Sequence, residues 1–141
     1  MNNVNENKSN ELELIRHYIK DLSFENPQDI NQNKSIRNNN YEISSNMNVI
    51  YKPYHNNFFS LIIKITLDCS SKKEKNKLSH LELDYFSFFK KLTENLDQKS
   101  LTENGLKLIF PYAKTIIEEI SHKGGCIPIS LNDVNFNLVE N

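Results

Sequence analysis

Phe59, Leu61, Ile63, Ile65, Leu67 and Cys69 put an apolar side chain at every second position, and Ser60, Lys64, Thr66 and Asp68 fill most of the gaps. Successive side chains of a strand point to opposite faces, so a run with one clean apolar parity reads as a half-buried strand. Such a strand needs neighbours. Tyr41, Ile43, Ser45, Met47, Val49 and Tyr51 share a parity, with mostly Ser, Asn and Lys between them, and the run stops before Pro53. Leu81, Leu83 and Tyr85 oppose His80, Glu82 and Asp84, and around Phe86, Phe88 and Phe89 both faces turn apolar. An earlier run starts at Tyr18: Tyr18, Lys20, Leu22 and Phe24 point one way, Asp21, Ser23 and Glu25 the other. Asn26-Pro27 ends it, because proline removes a backbone donor and restricts its predecessor. Gln28–Asn40 reads as a polar crossover, Tyr54–Asn57 as a turn and Ser70–Lys77 as a charged hairpin loop. Four strands in succession predict an antiparallel sheet.

Beyond Lys90 the period changes. Ile109, Ala113, Ile116, Ile117 and Ile120 fall on one stripe of a helix, which Gly124-Gly125 closes, with Pro111 near its start. The expected helix, Ile109–His122, lays that stripe on the sheet. Phe110 and Tyr112 then lie on other faces, more apolar surface than a lone helix shows to water. Pairing of helices across a two-fold axis would cover it, with Phe110, Tyr112, Ile116 and Ile120 as interface candidates. The tail from Ile127 to Asn141 reads as extended and apolar-studded. The recurrence of Leu92-Thr-Glu-Asn95 as Leu101-Thr-Glu-Asn104 reads as coincidence rather than repeat.

A chain of 141 residues suits one domain. We expect a disordered polar stretch over residues 1–11 and a single domain over 12–141. The net charge is −1, and no basic block exceeds Lys72–Lys77, which argues against nucleic acid. The longest apolar run, Phe58–Leu67, is broken by Ser60, Lys64 and Thr66, so no segment spans a bilayer. Cys69 and Cys126 lie far apart behind a polar N-terminus, which suggests a reducing, cytoplasmic setting. No histidine is spaced for a metal, no glycine loop cradles phosphate, and no nucleophile motif is present. Glu118-Glu119 reads as a solvated pair. His80 and Glu82 share a strand face, which suggests proton chemistry; an exposed polar face is the plainer reading. The expectation is a binding protein with no catalysis and no cofactor.

Two segments carry a family resemblance. Tyr18 to Pro27 reads YIKDLSFENP, and Leu108 to Lys114 reads LIFPYAK, followed by Gly124-Gly125, Pro128 and Asn135-Phe136. Both resemble the SecB protein-export chaperones, in order and spacing, and Phe58–Asp68 resembles that family's third strand. The match runs from about Tyr18 to Phe136. The resemblance implies an α+β fold, a four-stranded Greek-key antiparallel sheet with a long helix behind it, assembled as a homotetramer, a dimer of dimers. It implies a holdase that binds unfolded precursor proteins and delivers them to the translocation ATPase SecA. A guardian of one dedicated partner, such as an antitoxin, is the alternative on the same fold. The resemblance places Asp21, Glu25, His80 and Glu82 on the SecA-docking surface. Candidates for client contact are Ile43, Met47 and Val49 on the second strand with Ile129 and Leu131 in the tail. This sequence departs from the family pattern at Phe86-Ser87, where a glycine pair is usual, and at Cys126-Ile127. It also ends at Asn141, so the second helix is expected to be shortened or absent. The family's acidic tail is then missing, and SecA docking should rest on the sheet alone.

Overall fold

The computed structural model describes residues 11–28, 40–125 and the backbone of 138–140. Among the described residues five strands and one helix occur in chain order: β1 Leu12–Glu25, β2 Tyr41–Pro53, β3 Phe58–Ser71, β4 Lys77–Lys91, α1 Gln98–Lys123 and β5 Leu138–Glu140. The sheet order is β1-β4-β3-β2-β5. β2, β3 and β4 form an antiparallel meander, and β1 returns beside β4, also antiparallel, in the Greek-key manner. The four-stranded antiparallel expectation therefore holds. It is extended by β5, which pairs parallel with Met47, Asn48 and Val49 of β2 and lies in what reads from sequence as an extended tail.

The β3 alternation is reproduced in full: Phe59, Leu61, Ile63, Ile65, Leu67 and Cys69 are all buried. The turn before β3 holds Asn56 and Asn57 at positive φ, 60° and 67°, a conformation Asn tolerates better than most residues. One helix covers one face of the sheet. Its buried stripe is Leu101, Gly105, Ile109, Ala113, Ile117 and Ser121, one residue every four positions, with Thr102 beside it. Gly105 is there because space is short: a Cβ would lie 2.5 Å from Leu61 Cδ1 and 3.3 Å from Phe89 Cζ. Core side chains pack at crystal-like density, so the helix approaches the sheet through this glycine.

The starts of the helix and of β1 differ most from the sequence expectation, while β2 runs through Pro53 and β3 and β4 reach Ser71 and Lys77 at the hairpin loop. The helix spans 26 residues and begins at Gln98, not Ile109, so Pro111 lies inside it. Asp97 is the N-cap, its carboxylate accepting from the Ser100 N–H at 2.8 Å. Pro111 is tolerated because it is exposed, where water can serve the carbonyl its ring leaves without a donor. The C-terminal cap is as expected, with the Gly124 N–H donating to the Ile120 carbonyl at 2.8 Å.

β1 begins at Leu12 rather than Tyr18, and its alternation slips twice, between Leu14 and Arg16 and between Ile19 and Asp21. Each slip is a bulge, an extra residue that flips the parity of the strand beyond it. Leu12 and Leu14 face the core, then His17 opposite Ser87, then Leu22 opposite Leu83. Tyr18 therefore does not share a face with Leu22 and Phe24; it lies opposite Phe86 on the other side of the sheet. Glu11, assigned by the sequence to the polar leader, is anchored: its carbonyl accepts from Leu92 N–H and its carboxylate from Asn104. The expectations for residues 1–10, Cys126, the tail positions Ile127 to Phe136 and the second helix fall outside the described residues.

Candidate functional site

The face of the sheet turned away from α1 is ordered in cross-strand rows. Residues paired in register point to the same side, so the rows can be read across β1, β4, β3 and β2. Three are polar: Asp21–Asp84–Lys64–Asn48, Ser23–Glu82–Thr66–Asn46 and Glu25–His80–Asp68–Ser44. Asp21, Glu25, His80 and Glu82, which the family resemblance puts on one surface, all lie on this face.

His80 organises the acidic end. Its Nδ1 lies 2.5 Å from Asp68 Oδ1 and its Nε2 2.9 Å from Glu82 Oε1. A neutral imidazole has one N–H, and satisfying both carboxylates takes two. The charged form is therefore favoured, and the hydrogen bond to Asp68, then that to Glu82, raises the His80 pKa above its ordinary value. Lys77 Nζ, 3.8 Å from Asp68, opposes this in part. Lys64 Nζ bonds Asp84 Oδ2 at 3.0 Å, leaving Asp21 and Glu82 around a shallow depression of about 340 Å³ lined also by Asn46, Asn48 and Thr66. The sequence reading passes over Asp84 and Asp68. Their signal is present, since Asp84 shares the parity of His80 and Glu82, and Asp68 is two residues from Thr66 on the facing strand. Such a patch attracts basic partners and steers encounter. Among the described residues no group of three or more His, Cys, Asp or Glu is arranged to hold a metal ion.

The other expected site residues are placed differently. Met47 (9% exposed) and Val49 (2%) belong to the core beneath α1, so burial removes both from contact with a client in this conformation. Their parity is that of the core face, which sequence alone does not distinguish from a groove. Ile43 is half-buried at the edge of that core, and Ile129 and Leu131 lie outside the described residues. Phe110, Tyr112, Ile116 and Ile120 are half-buried and pack against the core from the flanks of α1. Tyr112 also meets His17, ring centroids 4.3 Å apart, while His17 Nδ1 lies 2.5 Å from the hydroxyl of buried Tyr85. Burial, and then the neighbouring Tyr112, raises the Tyr85 pKa. This polar pin between β1, β4 and α1 escapes a sequence reading because the first bulge turns His17 inward.

Comparison with known proteins bears on the family and the fold. The family described as SecB, preprotein translocase subunit SecB, matches residues 5–139. Protein-export protein SecB of Orientia tsutsugamushi strain Boryong is 30% identical over 122 residues, covering 84% of this chain and 74% of the relative. Its counterpart in Xanthobacter autotrophicus is 31% identical over 137 residues, covering 93% and 83%. A solved SecB-like chaperone of Mycobacterium tuberculosis, in complex with an antitoxin peptide, superposes with a TM-score of 0.62 at 12% identity, over 89% of this chain and 91% of that one. The last likeness is one of fold; the family match and the curated relatives decide the assignment, and the chain belongs to the SecB family of protein-export chaperones.

Proposed function

We propose that this SecB family chaperone is a passive holdase. It binds unfolded precursor proteins in the cytoplasm, works as a homotetramer, and presents its cargo to SecA through the acidic half of the outer face. The observation that carries the docking assignment is the convergence of Asp21, Glu82 and Asp84, with Glu25 in the next row, in adjacent cross-strand rows. A client is held by burial of apolar surface, about 25 cal/mol per Å², offset by the cost of ordering it. Several subunits acting on one long chain raise the effective concentration and so the affinity. Ile43, with Ile129 and Leu131, is assigned to client contact; Met47 and Val49, on the same strand as Ile43, are left to the core. The half-buried flank of α1, with Phe110, Tyr112, Ile116 and Ile120, is assigned to the contact between subunits.

The test reverses Asp21→Lys and Glu82→Lys together and measures SecA binding at two salt concentrations. Wild-type binding should weaken as salt rises, because exposed charges are screened within about 8 Å at physiological ionic strength. The double reversal should lower affinity at least tenfold. Indifference to both the reversal and salt would move the docking site elsewhere.

A further inference from the structure

The remaining rows of the outer face have a different chemistry. Toward the N-terminal end of β1 they read Tyr18–Phe86–Ile62–Ile50, then Arg16–Phe88–Ser60–Lys52, then Glu13–Lys90–Phe58. The rings form a layer: Tyr18 against Phe86 at 4.8 Å, Phe58 stacked on Phe88 at 5.2 Å, and Tyr54 edge-on to Phe88 at 5.5 Å. Ser60 lies within this layer and is only 2% exposed, while Tyr18 and Tyr54 keep 40% and 44% of their surface. Cations stand over its border: Arg16 Cζ 5.0 Å from the Tyr18 ring, Lys52 Nζ 5.2 Å from Tyr54 and Lys90 Nζ 6.0 Å from Phe58. Lys90 shares its row with Glu13, whereas the row of Arg16 on β1 and Lys52 on β2 contains no carboxylate. α1 covers the opposite face of the sheet, so the helix does not reach this layer.

We propose that this aromatic strip is a second contact site for unfolded polypeptide, selective for apolar segments bracketed by acidic residues. The inference rests on the reading of the protein as a holdase. Two observations choose the occupant. The first is charge: the rim is cationic at both edges of the strip. The second is size. Three interstrand gaps of about 4.8 Å separate β1 from β2, so Arg16 and Lys52 stand roughly 14 Å apart. An extended chain rises about 3.4 Å per residue, so acidic residues four positions apart match that span and leave three between them over the rings. The strip, about 14 Å each way, is far below the roughly 800 Å² per partner of a stable dimer, which argues against a second copy as occupant. The same sheet face then carries a client-binding half and an acidic half.

The experiment measures fluorescence anisotropy of two labelled peptides, Asp-Phe-Ala-Phe-Glu and Lys-Phe-Ala-Phe-Lys, against the full chain. The acidic peptide should bind at least tenfold tighter, the preference should fall toward unity at high salt, and Arg16→Glu with Lys52→Glu should reverse it. Tyr18→Ser should weaken both peptides. These are exposed positions; if the reversed pair fails to fold by circular dichroism, Arg16→Gln with Lys52→Gln should abolish the preference instead. Equal binding of the two peptides, or a preference that survives the charge variants, overturns the proposal. So does a concentration-dependent doubling of mass that those variants dissolve, which would assign the strip to a second copy. Aggregation of an unfolded client, measured in parallel, separates this inference from the function. Suppression by wild type without peptide preference sinks the strip alone; no suppression sinks the holdase reading, and the strip with it.

Discussion

His80 shows how one side chain sets the character of a surface. Its two ring nitrogens each face a carboxylate, Asp68 and Glu82, and Glu25 lies opposite it in register. The folded-state pKa lies above the ordinary value of 6.5, so the charged form contributes stability that is fully present below that pH and is lost as pH rises through the raised folded value. Titration by NMR should place the His80 midpoint above 6.5, and the stability difference between wild type and His80→Leu should shrink as pH rises past that midpoint. For a pair this near solvent the effect should stay below about 1 kcal/mol. A midpoint at or below the ordinary value would show that the carboxylates do not hold the ring. Deprotonation also leaves the acidic rows more negative, so docking of a basic partner should strengthen across the same interval. That His80, Glu82 and Asp84 share one face was legible in the sequence, because parity on β4 is unbroken from His80 to Phe89. The inward turn of His17 was not, because a bulge leaves no mark in a pattern of apolar and polar letters.

At the scale of elements, β3 and its apolar face can be derived from alternation alone, whereas the helix start cannot. Gln98 to Leu108 is mostly polar apart from Leu101, Leu106 and Leu108, and its buried stripe includes Gly105 and Thr102, which an apolar count overlooks. The Asp97 cap is the local signal: an acceptor side chain just before Gln98-Lys99-Ser100. Asp97→Ala should lower the urea midpoint, and no change would mean the first turn is held by packing alone. Gly105→Ala sets two effects against each other. Helix propensity favours alanine by about 1 kcal/mol. The added methyl meets Leu61, which is fully buried and has nowhere to go, and overpacking costs about 1–3 kcal/mol. The net expectation is destabilisation of about 1 kcal/mol, read as a lower urea midpoint at unchanged slope. Gly124 is constrained in the same way, since a Cβ there would run into the ring of Phe24, and Asn26 donates to its carbonyl at 2.7 Å. The end of α1 is thereby fastened to the end of β1.

At the scale of the whole molecule, the sheet gives one face to the helix and divides the other between acid and aromatic rows. Light scattering at tens of micromolar should report a mass about four times the 16.5 kDa of the chain, with Phe110→Ser shifting it toward dimer or monomer. A monomeric wild type would remove the subunit-contact role from the α1 flank. The division of the outer face was hidden in the sequence for the reason that hid His17. Only after the two β1 bulges are known do Arg16 and Tyr18 join the rows of Phe88 and Phe86. The pairing of β1 with β4 also fixes an order of events during synthesis. The meander β2–β3–β4 closes through short hairpins, but His17 must wait for Tyr85, 68 residues downstream. At roughly 5–20 residues per second on the ribosome, the first strand spends several seconds in the open before its partner exists. For that interval the newborn chain, with Leu12, Leu14, Leu22 and Phe24 unburied, is chemically the kind of object that finished copies of the same protein hold.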